Sequence, residues 1–350
     1  MWVDFHWHAR DWKESHKETV KHSLELAYAS GGLALGVMPN TQPPLSTLDI
    51  CRDYLELADN VGFPVQLYVH IALTADLEQV RHAVEATRKE PKICGMKMYF
   101  GHSTGNLGIP RRDMQYWVLE TLVREGFTGV LVGHLEKQNL LQDSLYNPEH
   151  PITWSRDCRQ EIAEIAGFAE AVEILEEAHF AGKFHVAHVS TLQVVDFINT
   201  YRGPLQLSCG ITPHHLFLNE SYLARVDGAW YKCNPPLRSV ETQQGLLERL
   251  MQGKIPIIES DHAPHTAEDK EKSLPASGIA SGLAWPELRS YLCGLGMSEE
   301  RLKEVIFQNT INLYDLQEKI PYEKRKVQSE RLEKLRVSCS HQPFTDFFER

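Results

Sequence analysis

Along the chain, short runs in which nearly every residue is apolar alternate with longer stretches whose apolar and polar positions recur at helical spacing. The runs fall at residues 2–5, 32–38, 65–72, 93–100, 129–134, 184–189, 205–211 and 255–260. A strand that is apolar throughout is covered on both faces, and such strands alternating with helices build a parallel sheet. Eight units over about 265 residues predict an α/β fold of the (β/α)8 TIM-barrel kind, with a doubly wound open sheet as the second choice. Between the runs, residues 161–179 and 240–252 carry Ala, Glu, Ile and Leu at helical spacing. No repeat, low-complexity tract or Gly/Ser/Pro-rich linker divides the chain. Residues 1–320 are therefore expected to form one barrel domain, and residues 321–350 a C-terminal charged helix and tail. The densely charged stretch 322–334 is expected to be an exposed helix outside the barrel.

Composition narrows the class. The 350 residues suffice for one large core, and 42% hydrophobic with 24% charged residues is ordinary for a globular enzyme. No apolar run approaches the roughly 20 residues needed to span a bilayer, so no membrane association is expected. The first residues, Met-Trp-Val-Asp-Phe-His, lack a basic region followed by an apolar stretch, which makes the cytoplasm the expected location. The seven cysteines are odd in number and scattered, so they read as reduced thiols. With 36 Lys plus Arg against 47 Asp plus Glu, the net charge of −11 disfavours nonspecific nucleic-acid binding. A small molecule is the expected partner, and a homodimer is the assembly kept open.

His6 and His8 lie two apart at the end of the first run, so their side chains point to the same side of the pleat and a metal ion could sit between them. Two nearby histidines can equally be unrelated packing residues. His134 ends the fifth run, His188 the sixth, and Asp261 follows the eighth. All these positions fall at C-terminal strand ends, the face on which barrel enzymes assemble their catalytic groups. The plain alternative is a set of buried, hydrogen-bonded histidines.

Seven stretches occur in order across residues 2–320: Asp4-Phe-His-Trp-His-Ala-Arg10, Met38-Pro-Asn-Thr41, Gly95-Met-Lys-Met-Tyr99, Gly133-His-Leu-Glu136, Ala187-His-Val-Ser-Thr191, Asn234-Pro-Pro-Leu-Arg238 and Asp261-His-Ala-Pro-His265. In these the sequence resembles the amidohydrolase superfamily and, within it, the dihydroorotases. The resemblance implies two divalent metal ions: His6, His8 and Asp261 on one, His134 and His188 on the other. Lys97, converted by CO2 to a carbamate, would bridge them together with a hydroxide. A protonated lysine has no lone pair for a cation, whereas its carbamate is a carboxylate. Zinc suits the set, and manganese or cobalt also fit. His185, three residues before His188, competes for the ligand role, but the family pattern selects His188. The implied reaction is reversible cyclisation of N-carbamoyl-L-aspartate to L-dihydroorotate in de novo pyrimidine biosynthesis, with Asp261 as base and then acid.

Substrate choice rests on other residues. Arg10, Asn40 and His265 match positions that grip the substrate carboxylate in the family; a surface cation, a turn residue and a loop histidine are the alternatives. The loop 101–108, rich in glycine and hydroxyl side chains, resembles a lid with Ser103 or Thr104 as contacts, or is a plain turn. Asn234 and Arg238 resemble a substrate-side loop after the seventh strand. Many relatives carry a small β-rich domain ahead of the His-x-His pair, which here stands almost at the start, and residues 336–344 resemble post-barrel sequences only faintly. A hydantoinase or allantoinase would share the metal site without needing Arg10 and Asn40. A noncatalytic barrel scaffold would have no need of six intact ligands.

Overall fold

The computed structural model describes residues 1–348 except 104 and 324. Eight strands, β1 (Trp2–Trp7), β2 (Gly32–Val37), β3 (Gln66–Ala72), β4 (Ile93–Tyr99), β5 (Val130–His134), β6 (Lys183–Val186), β7 (Gln206–Ile211) and β8 (Ile257–Ile258), form one sheet in chain order. Every neighbouring pair in that order is parallel. Most strand residues are fully buried, as strands sandwiched between barrel interior and outer helices must be. The open-sheet alternative is thereby set aside.

The helices α1 (Val20–Ala29), α2 (Leu48–Glu56), α3 (Leu77–Lys89), α4 (Arg112–Arg124), α5 (Glu161–Glu177) and α6 (Leu192–Thr200) each return the chain to the next strand, and α7 (Pro213–Phe217) with α8 (Val240–Met251) lead into β8. Their starts are locally encoded: Thr19, Thr47 and Ser239 accept from the backbone N–H of His22, Ile50 and Thr242. Among the described residues no helix is long and apolar enough to cross a membrane.

Two expectations are corrected. The run 255–260 yields a strand of only Ile257–Ile258. The reason is that Ser260 N donates to the Asp4 carboxylate, at 3.1 and 3.2 Å, instead of to a neighbouring backbone. The barrel closes there through Asp4, through a parallel bridge between Trp7 and His262, and through His8 N donating to His262 O at 2.9 Å. At the other end of the chain, the charged segment is helical over Ser329–Ser338, not from 322. That helix lies outside the barrel, as expected, with most of its described residues exposed, but it packs on α1 and buries Leu332 and Leu335.

Candidate active site

His6 lies in β1 and His8 one residue beyond it; Lys97 lies in β4 and His134 ends β5; His188 and Asp261 follow β6 and β8. Barrel closure brings these strand ends together. Of the residues singled out from sequence, His6, His8, Arg10, Asn40, Lys97, Ser103, His134, His188, Asn234 and Asp261 all line one cavity. Tyr99, Ala263, Ser277 and Gly278 complete its wall. Thr104 falls outside the described residues.

Asp261 Oδ1 lies 2.9 Å from His8 Nε2 and 3.4 Å from His6 Nε2. On the other side, His134 Nδ1 faces His188 Nε2 at 3.1 Å. Both groups are buried. Arg10, His188 and Asp261 hold left-handed backbone, with φ of 57°, 40° and 48°. Such conformations cost non-glycine residues of order 1 kcal/mol or more and gather where side chains are aimed for function.

Electrostatics follow from the burial. Desolvation lowers His8 to about 4, against the pull of Asp261. Burial alone would push the Asp261 carboxyl up, but His6 and His8 beside it hold it well below the usual range. Desolvation lowers Lys97 to about 8, although Glu259 and Asp261 favour its charged form. Lys97 Nζ is buried and has no hydrogen-bond partner among the described residues; His8 Nδ1 and His188 Nδ1 share that condition, while His6 Nδ1, also outside hydrogen-bond geometry, has the Glu259 carboxylate 3.5 Å away. Imidazole nitrogens, a carboxylate and a lone buried amine facing one cavity make a donor set suited to divalent cations. The chemistry of these residues therefore fits a metal site.

A buried shell supports the lining. His134 Nε2 lies 3.0 Å from Glu136 Oε2, which accepts from Arg159 Nη1 at 2.7 Å. The α5 residue Glu164 accepts from Ser190 N and Thr191 Oγ1, fixing the loop that begins at His188. Arg238 donates to Ser190 Oγ and to Arg159 O, and so belongs to this shell, not to the cavity wall. Asn234 reaches the cavity and donates to Ser103 Oγ at 3.4 Å, so that both side chains line it. His265 stands behind Arg10, its Nε2 3.4 Å from Arg10 Nη2 and 3.1 Å from Ser277 O. Sequence reasoning assigned no role to Glu136, Arg159 or Glu259. Glu136 sits within a quoted motif, and Glu259 is a lone carboxylate inside an apolar run, a signal that was there to be read.

Among the described residues one further group has metal-ligand chemistry, His214, His215 and Cys233. Most of its polar atoms are held by hydrogen bonds, His214 Nδ1 to Ser281 Oγ at 2.6 Å, His215 Nδ1 to Thr212 Oγ1 at 2.9 Å and the Cys233 thiol to Pro235 O at 3.1 Å, while His214 Nε2 is buried without one among the described residues.

No family model matches the chain. It is 29% identical over 302 residues to a dihydroorotase of Staphylococcus epidermidis, covering 84% of this chain and 68% of that protein. It is 31% identical over 286 residues to a dihydroorotase of Pyrobaculum aerophilum, covering 80% of this chain and 63% of that protein. In fold it is similar to the L-hydantoinase of Arthrobacter aurescens, with a TM-score of 0.80 at 22% identity over 91% of this chain and 72% of the other. It is also similar to a dihydroorotase of Campylobacter jejuni, with a TM-score of 0.69 at 20% identity over 93% and 85%. The parallel eight-stranded barrel, the histidines and carboxylate at its mouth and these likenesses converge on one group: the chain is similar in sequence to dihydroorotases and in fold to cyclic-amide hydrolases.

Proposed function

We propose that the protein is a dihydroorotase, interconverting N-carbamoyl-L-aspartate and L-dihydroorotate. Arg10 carries this reading. It is 2% exposed, lines the cavity beside the histidines, and has no carboxylate partner among the described residues. A buried guanidinium without an anion is costly, and a substrate carboxylate answers it with two charge-assisted hydrogen bonds. A cyclic amide without a carboxylate gives Arg10 nothing to hold.

In this reading His6, His8 and Asp261 would hold one divalent ion and His134 and His188 the other, and Lys97, once carbamylated, would add a carboxylate to the set; zinc suits the donors. When bound, two such cations supply a water of lowered proton affinity and polarise the amide carbonyl. Asp261, ionised at neutral pH, takes the proton of the attacking water and delivers it to the departing ring nitrogen. Asn40 and Arg10 orient the ring, and Ser103 with Asn234 closes the cavity against bulk water.

Arg10→Ala tests the substrate. Both metals should stay bound, since Arg10 is not a ligand, while kcat/KM for dihydroorotate falls about 10- to 100-fold, the equivalent of roughly 1.5–3 kcal/mol. Dihydrouracil, which lacks the carboxylate, should be a poor substrate that the substitution hardly affects. Faster turnover of dihydrouracil than of dihydroorotate by the unsubstituted protein would move the assignment to the hydantoinases.

A further inference from the structure

One buried carboxylate touches both halves of the site without lining the cavity. Glu259, 4% exposed, lies two residues before Asp261. Its Oε1 accepts from the backbone N–H of His188 at 2.6 Å and lies 3.5 Å from His6 Nδ1; its Oε2 lies 3.2 Å from His185 Nε2. Its room is made by the neighbouring strand. A Cβ on Gly210 would stand 2.4 Å from the Glu259 carboxyl carbon and 2.5 Å from Oε1, so any larger residue at 210 would expel the carboxylate.

We propose that Glu259 is a positioning residue that sets which nitrogen His6 presents to the cavity and holds the backbone of His188, and that Gly210 is the partner that lets it do so. The inference rests on the metal reading given above. An acceptor facing His6 Nδ1 favours the tautomer protonated there, which leaves the Nε2 lone pair toward Asp261. The same carboxylate anchors His188, whose φ of 40° is unfavourable without a fixed hydrogen bond. His6 and His188 belong to different ligand groups, so a single side chain couples them. His185 thereby gains a role as a ring held against Glu259, not as a ligand.

The experiment measures Co2+ affinity by chelator competition, with the visible Co2+ spectrum as a second readout, on folded protein checked by circular dichroism. Glu259→Gln keeps an oxygen in the place of Oε1 for His188 N–H and His6, but removes the negative charge that favours the His6 Nδ1 proton, and its NH2 cannot accept from His185. Affinity should fall about 10- to 100-fold, as loss of a ligand-orienting partner does, with an altered spectrum. Glu259→Asp should recover part of the loss. Gly210→Ala should lower affinity likewise, and Gly210→Ala combined with Glu259→Ala should lose no more than Glu259→Ala alone. Nitrogen-15 NMR of the unsubstituted holoprotein gives a reading that does not depend on any variant folding: His6 should carry its proton on Nδ1. Unchanged affinity and spectrum in Glu259→Gln, or a His6 proton on Nε2, would overturn the role of Glu259 alone. Failure of the unsubstituted protein to take up two Co2+ ions would overturn the metal reading itself.

Discussion

A lysine amine buried without a partner is unstable as a cation, and that is the condition in which it reacts with CO2. Carbamate formation needs the neutral amine: its nitrogen bonds the carbon of CO2 and the nitrogen then loses a proton. Burial lowers Lys97 from its ordinary 10.5 to about 8, which raises the neutral fraction near pH 7 by about two orders of magnitude. The sign is fixed by this shift, since the neutral form gains as pH rises through about 8. After removal of CO2 and metal at low pH, recovery of activity in zinc should therefore quicken with added bicarbonate and from pH 6.5 to 8. Recovery indifferent to bicarbonate would remove the carbamate. Lys97→Ala should abolish turnover, with partial rescue by short carboxylic acids; near-normal turnover and metal content in that variant would show that another group bridges the site.

At the scale of elements, a helix on the outside of the barrel governs a loop on its catalytic face. Glu164 of α5 accepts from Ser190 N and Thr191 Oγ1 and lies 3.8 Å from Arg238 Nη2, all buried. Glu164→Ala leaves a buried guanidinium without its carboxylate and three donors, Ser190 N, Ser190 Oγ and Thr191 Oγ1, without that acceptor. Removing one member of a buried ion pair costs about 3–5 kcal/mol, and urea unfolding of the metal-free protein should show a loss of that order. A loss below about 1 kcal/mol would mean that Arg159 O and water satisfy Arg238 without Glu164.

For the whole molecule the weak seam is the join of β8 to β1, where two strand residues and a few side chains replace a full ladder. Glu18 sits at this seam, its Oε2 2.8 Å from His262 Nε2 and its Oε1 against His22 of α1. Burial alone would raise its carboxyl, but His262 and His22 lower it from 4.5 to about 2. A depressed carboxyl contributes stability that is complete above about pH 4.5 and is lost as pH falls toward 2, here at most about 3 kcal/mol. The urea midpoint of metal-free Glu18→Gln should accordingly vary less between pH 5 and 3 than that of the unsubstituted protein. Parallel curves would show that the acid sensitivity lies elsewhere.

The sequence by itself determined the parts whose physics is local. Nearly all-apolar runs marked the eight strands, because a strand covered on both faces admits few polar residues beyond those turned to the site. His6, His8, His134, His188 and Asp261 announced themselves by standing at the ends of those runs, and barrel closure then had only one place to bring them. Lys97 was legible only through family likeness, since one lysine in a strand carries no sign of its burial. What depends on contacts between distant residues was decided by the tertiary structure alone. Asp4 replaces backbone pairing at Ser260 and so shortens β8. Leu332 and Leu335 turn a charged helix into a cover for α1. His265 is packed behind Arg10 instead of beside the cavity. The space beside Gly210 admits the carboxylate of Glu259, an accommodation between residues on two strands that no periodicity along either strand expresses.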